Sequence, residues 1–134
     1  KTTTSDAFNR IMSKYGSATN QQWLIVNGDG TMSTGFHDGS GYIEIDAVGA
    51  GFTDGNWHHA MVVVDSTNLY RYLDGVDSGT TDTHDNSFPT NASFWEIGRL
   101  NTDTEFFEGS IDDVRIYDIA LTADEVRRVY ELGN

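Results

Sequence analysis

Short apolar segments separated by turn residues recur along the whole chain. Tyr42–Asp46 alternates apolar and polar side chains, which is the spacing of a half-buried β-strand. Trp57–Asp65 is apolar on both alternating faces, as is typical of a central strand covered on both sides. Asn27–Gly30 and Asp74–Gly75 are strong turn signals between such segments. The pattern therefore predicts an all-β domain.

The same pattern places the individual elements. The predicted strands are Ala7–Tyr15, Gln22–Asn27, Thr31–His37, Tyr42–Asp46, Trp57–Asp65, Leu69–Leu73, a short strand at Val76, Ser93–Ile97 and Glu105–Asp118. One helix is predicted near the C-terminus, since Thr122 and Glu125 form a capping box and Gly133 supplies a stop. Many short strands followed by one late helix indicate a two-sheet antiparallel β-sandwich with one short C-terminal helix.

The last predicted strand, Glu105–Asp118, carries an acidic residue at an unusual position. Alternation puts Asp112 on the same face as Val114 and Ile116, and these apolar neighbours mark that face as the inner one. A buried carboxylate is costly unless it is hydrogen-bonded, paired or bound to a metal. Asp112 is therefore predicted to mark a site.

Charge narrows the classes of partner. Eight Lys and Arg stand against 21 Asp and Glu, for a net charge of −13, which repels phosphate backbones and argues against nucleic acid. The acids are scattered, so ordinary surface solvation is one interpretation and Ca²⁺ ligation by some of them is the other. There are no cysteines, which excludes disulfides and thiolate metal sites. No apolar run approaches the length of a membrane span, so membrane insertion is not expected.

Five motifs in a fixed order resemble a known family. They are Asp54–Ala60, Leu69–Gly75, Trp95–Gly98, Phe107–Tyr117 and Ala120–Val126. Together they resemble the laminin-G-like, concanavalin A-like jelly-roll domains of bacterial and viral proteins, from about Phe8 onward. The resemblance implies a single jelly-roll domain over residues 1–134 that acts as a non-catalytic recognition or adhesion module. The implied partner is a glycan or surface polysaccharide, and the implied location is extracellular or on a virion surface.

One departure from the family concerns the N-terminus. Members usually carry a further segment, including a strand or two, before the equivalent of Phe8. We therefore expect residues 1–134 to be a fragment of a larger chain. We also expect an open sheet edge, completed by that segment or by other subunits.

Candidate ligand-binding residues are the aromatic and acidic side chains expected at the rim of the sandwich, namely Phe36, His37, Asp38, Phe52, Asp54 and Phe88. Trp23, Trp57 and Trp95 lie within apolar strand segments and are expected in the core. Tyr70 and Tyr72 alternate away from the leucines of their strand, so they are expected on a more exposed face.

The resemblance also implies a metal. The equivalent of Asp112 often ligates a structural Ca²⁺ together with backbone carbonyls, some of them from the N-terminal segment. The alternative is that Asp112 accepts hydrogen bonds from nearby backbone N–H groups. His58 and His59 point to opposite faces of a strand, so they cannot chelate one ion and a structural role is expected.

Two further functions remain open. One is a structural or assembly module of a virion or cell surface. The other is a laminarinase-like glycosidase, because Glu44 and Asp46 share one strand face. The second glutamate of that enzyme motif would fall at Gly49, so this carboxylate is missing and no enzymatic activity is expected.

Overall fold

The computed structural model describes residues 1–3, 8–37, 41–48, 51–84, 92–102 and 105–133. Within these ranges the chain forms eight strands and one helix. They are β1 (Phe8–Ser17), β2 (Asn20–Asn27), β3 (Met32–His37), β4 (Tyr42–Val48), β5 (Ala60–Val64), β6 (Asn68–Leu73), β7 (Val76–Thr83), β8 (Trp95–Ile97) and α1 (Ala123–Gly133). No helix in this part of the chain is long and apolar enough to cross a bilayer.

The strands form two antiparallel sheets. One has five strands in the order β4-β3-β2-β1-β8, and the other has three in the order β5-β6-β7. Strands β1 to β4 pair in chain order as hairpins in the first sheet, and β5 to β7 do so in the second, whereas β8 returns to the edge of β1. The predicted two-sheet antiparallel sandwich with one short C-terminal helix is confirmed.

Tight turns set the hairpins, as their sequences predict. Between β2 and β3, the Asn27 amide donates to the Thr31 carbonyl at 2.7 Å, and Gly30 adopts a φ of 79°. Between β6 and β7, Asp74 and Gly75 have φ values of 48° and 75°, the left-handed pair that a two-residue hairpin turn needs. These local turns hold each register in place.

The core lies between the sheets. Its buried centre is Val26, Met32 and Phe52, against which Ile11, Leu24, Ala60, Leu73 and Phe107 pack. Arg71, fully buried on β6, crosses this space and donates from Nη1 to the Met32 carbonyl. One guanidinium thus ties the three-stranded sheet to the five-stranded one. Desolvation by burial lowers the pKa of Arg71.

Helix α1 covers the other face of the three-stranded sheet. The Thr122 amide donates to Glu125 Oε2 at 2.8 Å and the Glu125 amide donates to Thr122 Oγ1 at 3.4 Å, so the predicted capping box is confirmed. Val126 is fully buried against Val63 and Tyr72. The exposed position expected for Tyr72 is therefore wrong, because the helix covers its face of the strand.

The predicted strand Glu105–Asp118 is not a strand. Its one bridge is an isolated antiparallel contact between Thr2 and Gly109, and no described strand pairs with residues 111–117. Val114 and Ile116 are 44% and 67% exposed, and Asp112 is exposed as well. The inward orientation predicted for Asp112 is therefore wrong. Alternation describes side-chain direction, but a strand forms only where a neighbour accepts its backbone hydrogen bonds.

The three tryptophans differ in how far they are buried. Trp23 is 8% exposed in the middle of the five-stranded sheet, which confirms its predicted burial, although it lies on the face away from the core between the sheets. Trp57 and Trp95 are 55% and 42% exposed, so their predicted burial is wrong. Trp57 precedes β5 instead of lying within it, and Trp95 belongs to β8 at the edge of its sheet. Both side chains therefore lack a covering layer on one side.

The capping box gives a stability prediction. Thr122→Ala should lower the free energy of unfolding by about 1 kcal/mol, because it removes the oxygen that accepts the Glu125 amide proton. Urea denaturation followed by circular dichroism measures this change. Thr122→Ser is the matched control, since it keeps the hydroxyl and should unfold close to the parent midpoint. An equal loss of unfolding free energy in both variants would contradict this assignment, because Thr122→Ser keeps the hydroxyl that accepts the Glu125 amide proton.

Candidate functional site

Strand register brings a set of polar and aromatic side chains together on the outer face of the five-stranded sheet. Trp23 pairs with Gly35, and Gly35 pairs with Glu44, so these three form one row across β2, β3 and β4. Gln21, His37 and Tyr42 form the adjacent row in the same way. Residues directly opposite one another share a sheet face. Both rows therefore lie on one surface, the face away from the core.

This surface holds a shallow groove of about 280 Å³. We call it the outer groove. Its lining residues are Arg10, Gln21, Trp23, Ile25, Asn27, Ser33, Tyr42 and Glu44.

The aromatic wall of the outer groove is built around Tyr42. Its side chain is 56% exposed, whereas Trp23 beside it is 8% exposed. The Trp23 and Tyr42 rings meet edge to face with centroids 5.8 Å apart, and the His37 ring packs 4.6 Å from Tyr42. Two buried neighbours thus orient Tyr42 while much of its ring stays accessible.

The polar wall carries charge and amide groups. Arg10 Nε donates to Glu105 Oε2, which holds the guanidinium at the groove from a nearly buried position. The Asn27 side-chain nitrogen Nδ2 donates to Thr31 Oγ1 at 3.1 Å, which leaves the side-chain oxygen Oδ1 as an acceptor. Glu44 is the only carboxylate among the described residues that line the groove.

Gly35 allows β3 and β4 to lie close together beside the outer groove. A Cβ at this position would lie 2.5 Å from the Ile43 carbonyl oxygen and 2.7 Å from Glu44 Cβ. Any larger residue would therefore push β3 and β4 apart. Glycine lets the exposed Tyr42 ring and the Glu44 side chain border the same depression.

The arrangement suits a ligand that is flat and apolar on one side and hydroxylated on its edges. An exposed aromatic ring supplies apolar contact, and the carboxylate, amide and guanidinium groups around it supply acceptors and donors. Glycoside hydrolysis requires two carboxylates that flank the scissile bond. Glu44 supplies one carboxylate to the groove, and the side chain of Asp46 lies outside the part of the chain that the structure describes.

The ligand-binding residues that the sequence predicts at loop positions do not all lie in the outer groove. Phe36 and Phe52 are 3% and 8% exposed, so the rim position expected for them is wrong. Phe36 meets the His84 ring and Phe52 belongs to the core cluster. His37 is nearly buried but supports Tyr42 in the outer groove. The candidates Asp38 and Phe88 lie outside the described residues.

The residues that sequence analysis missed are Arg10, Gln21 and Tyr42. Alternation alone assigns Tyr42 to the same face as Glu44, and Gln21 to the same face as Trp23. What the sequence did not show is that β2 and β4 lie on either side of β3 in a register that aligns these faces.

The candidate Asp54 belongs to a second cluster, near the start of β5. His58 lies between two carboxylates, with Nε2 3.1 Å from Asp54 Oδ1 and Nδ1 3.0 Å from Asp74 Oδ2. Asp54 also accepts hydrogen bonds from the backbone and side chain of Asn56. These bonds to Asn56, together with the one to His58, lower the pKa of Asp54 to about 2.

The two histidines of this region differ in environment, as their opposite orientations predict. Burial lowers the pKa of His58, but the hydrogen bonds and charges of Asp74 and Asp54 outweigh it, so the net pKa is raised. His59 packs on the other side, against the Tyr130 ring of α1, and burial lowers its pKa. The two side chains therefore point to opposite sides, as the sequence predicts.

The environment of His58 gives a pH prediction. Because its pKa is raised in the folded state, protonated His58 adds stability that is fully present below the unfolded-state value of 6.5. That stability is lost as the pH rises through the folded-state pKa. NMR titration should find the pKa of His58 above that value and the pKa of His59 below it. Asp54→Asn should lower the pKa of His58 and leave that of His59 nearly unchanged. A His58 pKa at or below its unperturbed value would contradict this cluster.

Asp112 makes a local hydrogen bond. Its Oδ1 accepts the Asp113 amide proton at 2.8 Å, which matches the hydrogen-bonding alternative. Ca²⁺ takes six to eight oxygen ligands, and no group of three or more acidic or histidine side chains suited to a metal occurs in the described part of the chain. Calcium at Asp112, with backbone carbonyls as the other ligands, therefore stays a prediction.

Chelation tests the calcium prediction. If a structural Ca²⁺ is bound through Asp112, EGTA should lower the melting temperature and added CaCl₂ should restore it. Asp112→Asn should abolish this response, whereas Asp113→Asn should retain it. A melting temperature that does not change with EGTA would rule the ion out.

The chain is similar to known proteins in sequence and in structure. Residues 1–127 match the family model described as the concanavalin A-like lectin/glucanases superfamily. A crystal structure of an S-layer domain-containing protein from Clostridium thermocellum is similar at 25% sequence identity, with a TM-score of 0.47. That similarity covers 92% of this chain and 63% of the other chain, so this chain spans less than two thirds of it. No curated protein sequence matches the chain.

Proposed function

Because this chain belongs to the concanavalin A-like lectin/glucanase superfamily, we propose that it is a non-catalytic recognition module that binds glycan in the outer groove. The observation that carries the proposal is the exposed Tyr42 ring, held by Trp23 and His37 and bordered by Glu44 across Gly35. An accessible aromatic face beside polar groups matches the two-sided chemistry of a sugar ring.

Charge favours a neutral glycan. The net charge of −13 raises the cost of bringing a sulfated or uronic polysaccharide to the surface. Within the groove, Arg10 is already paired with Glu105, so its charge is largely neutralised there. The proposed ligand is therefore an uncharged surface polysaccharide, with Glu44 and the amide groups accepting and donating hydrogen bonds to its hydroxyls.

Three further predictions do not depend on the outer groove. They are an extracellular or virion-surface location, the lack of nucleic-acid binding, and the alternative role as a structural or assembly module of a virion or cell surface. Glycoside hydrolysis is disfavoured, since Glu44 lacks a second carboxylate among the described lining residues.

A glycan array with a single substitution tests the proposal. The parent protein should bind one class of neutral glycan saturably, and Tyr42→Ala should weaken that binding about tenfold or more, because the stacking surface is lost. Tyr42→Phe should retain most of the affinity, since it keeps the ring. Phe94→Ala is the matched control, because Phe94 is 82% exposed and does not line the groove.

Two outcomes would overturn the proposal. One is the absence of binding to any glycan on the array. The other is binding that Tyr42→Ala leaves unchanged, which would place the ligand elsewhere. A third outcome is release of reducing sugar from a bound glycan, with no release by the Glu44→Gln variant. That result would show that the domain hydrolyses glycan instead of only binding it.

A further inference from the structure

The outer groove follows the direction of strand β2. Every second residue of this strand from Gln21 to Asn27 lines the groove, and these positions face away from the core between the sheets. Six residue steps separate the two ends, which corresponds to about 20 Å at the rise of an extended strand. A single sugar ring is comparable in width to one strand spacing of about 4.8 Å, so it covers only about a quarter of this length. The groove is therefore long enough for a short stretch of a polymer.

Strand register divides the outer groove into four successive rows. Each row contains one outward residue of β2, and neighbouring rows lie about 7 Å apart because side chains on one face repeat every two residues. Gln21 marks the first row, Trp23 the second, Ile25 the third and Asn27 the fourth.

Every row presents a hydrogen-bonding side chain to the groove. These side chains are Gln21 in the first row, Glu44 in the second, Ser33 in the third and Asn27 in the fourth. Gln21 Nε2 donates to the Ala18 carbonyl at 3.1 Å, so its Oε1 remains an acceptor, as Oδ1 of Asn27 does. The Glu44 carboxylate accepts hydrogen bonds, and the Ser33 hydroxyl both donates and accepts them. Polar groups that repeat along a line suit a ligand whose hydroxyls also repeat.

The apolar contacts of the groove are concentrated near one end. The exposed Tyr42 ring lies beside the first two rows, because Tyr42 pairs with His37 and His37 pairs with Gln21. Trp23 and Ile25 form the floor of the two middle rows, but only 8% and 4% of their surface is exposed. One sugar ring would therefore stack on Tyr42, while sugars in the later rows would be held mainly through their hydroxyls.

The β1 side of the groove is covered by residues that follow β8. Ser13 pairs with Trp23 and is 1% exposed, and its Oγ donates to the Arg99 carbonyl at 2.8 Å. In the next row, Arg10 is nearly buried and donates to the Glu105 carboxylate. Groups from outside the sheet thus cover β1 beside the two middle rows. A sugar branch that pointed toward β1 would collide with them.

We propose that the outer groove binds an internal stretch of an unbranched, neutral polysaccharide, about four sugar units long, that lies along β2. This inference rests on the proposed function and adds the direction, the length and the linear form of the ligand. One ring stacks on Tyr42, and the hydroxyls of successive units meet the polar side chains of successive rows. Because the groove is shallow and lined along its whole length, the ligand lies on it lengthwise instead of inserting a chain end.

Oligosaccharides of increasing length test the inference. The probes are three neutral, unbranched series of two to six units, namely cello-oligosaccharides, manno-oligosaccharides and malto-oligosaccharides. In a series that binds, isothermal titration calorimetry should show an affinity that rises about tenfold or more from two units to four and then stays level. The corresponding long polymer should compete at the same concentration of sugar units, because it offers many internal stretches and few chain ends.

Asn27→Ala separates the two ends of the groove. This change removes the polar group of the fourth row, so the affinity for the six-unit oligosaccharide should fall about fivefold. The affinity for the two-unit oligosaccharide should not change, because that ligand binds beside Tyr42. Thr31→Val is the matched control, since it removes the hydrogen bond between Thr31 and Asn27 but keeps the Asn27 side chain. This control should retain the full dependence of affinity on length.

Four results would overturn the inference. The first is equal affinity for the two-unit and six-unit oligosaccharides, and the second is an equal loss of affinity at both lengths in Asn27→Ala. The third is failure of the long polymer to compete, which would show that a chain end is bound. The fourth is binding on the glycan array without binding of any of the three unbranched series. Each of these results leaves glycan binding itself in place, whereas an array without any bound glycan would overturn the proposed function as well.

Discussion

Backbone hydrogen bonding at the sheet edges is the constraint on which this structure depends. A strand exists only where a neighbour accepts its N–H groups and donates to its C=O groups. In the five-stranded sheet this condition is met from β4 through to β8. In the three-stranded sheet it is met from β5 to β7, and no described strand pairs with residues 111–117. Helix α1 packs on the face of this smaller sheet that is turned away from the core between the sheets.

The two faces of the five-stranded sheet differ in chemistry. The outer groove presents polar and aromatic side chains, above all the exposed Tyr42 and the carboxylate of Glu44. The opposite face carries Leu24, Val26 and Met32, which pack in the core between the sheets. In the proposed function, the outer groove selects a ligand by its shape and its hydroxyl pattern.

Local interactions were predictable because they depend on residues close in sequence. The capping box of Thr122 and Glu125 and the Asp74–Gly75 turn use neighbours within a few positions, and both form as their sequences indicate. Strand existence was predictable where a hairpin partner follows directly, as for β2 and β3. It failed for Glu105–Asp118, whose alternation is clear but whose partner is not adjacent in sequence. The rim positions of Phe36 and Phe52 failed similarly, since packing between sheets decided their burial.

The sequence by itself determined the class of fold, the turns, the helix and its cap, and the family resemblance, because periodicity, turn chemistry and capping act over short distances. Tertiary structure alone decided which faces meet. It placed Tyr42 beside Trp23 through the register of three strands, and it buried Tyr72 beneath α1. It also turned Asp112 outward, because residues 111–117 have no described strand to hold them in a sheet. Long-range pairing made these choices, and the spacing of residues along one strand does not encode its partner.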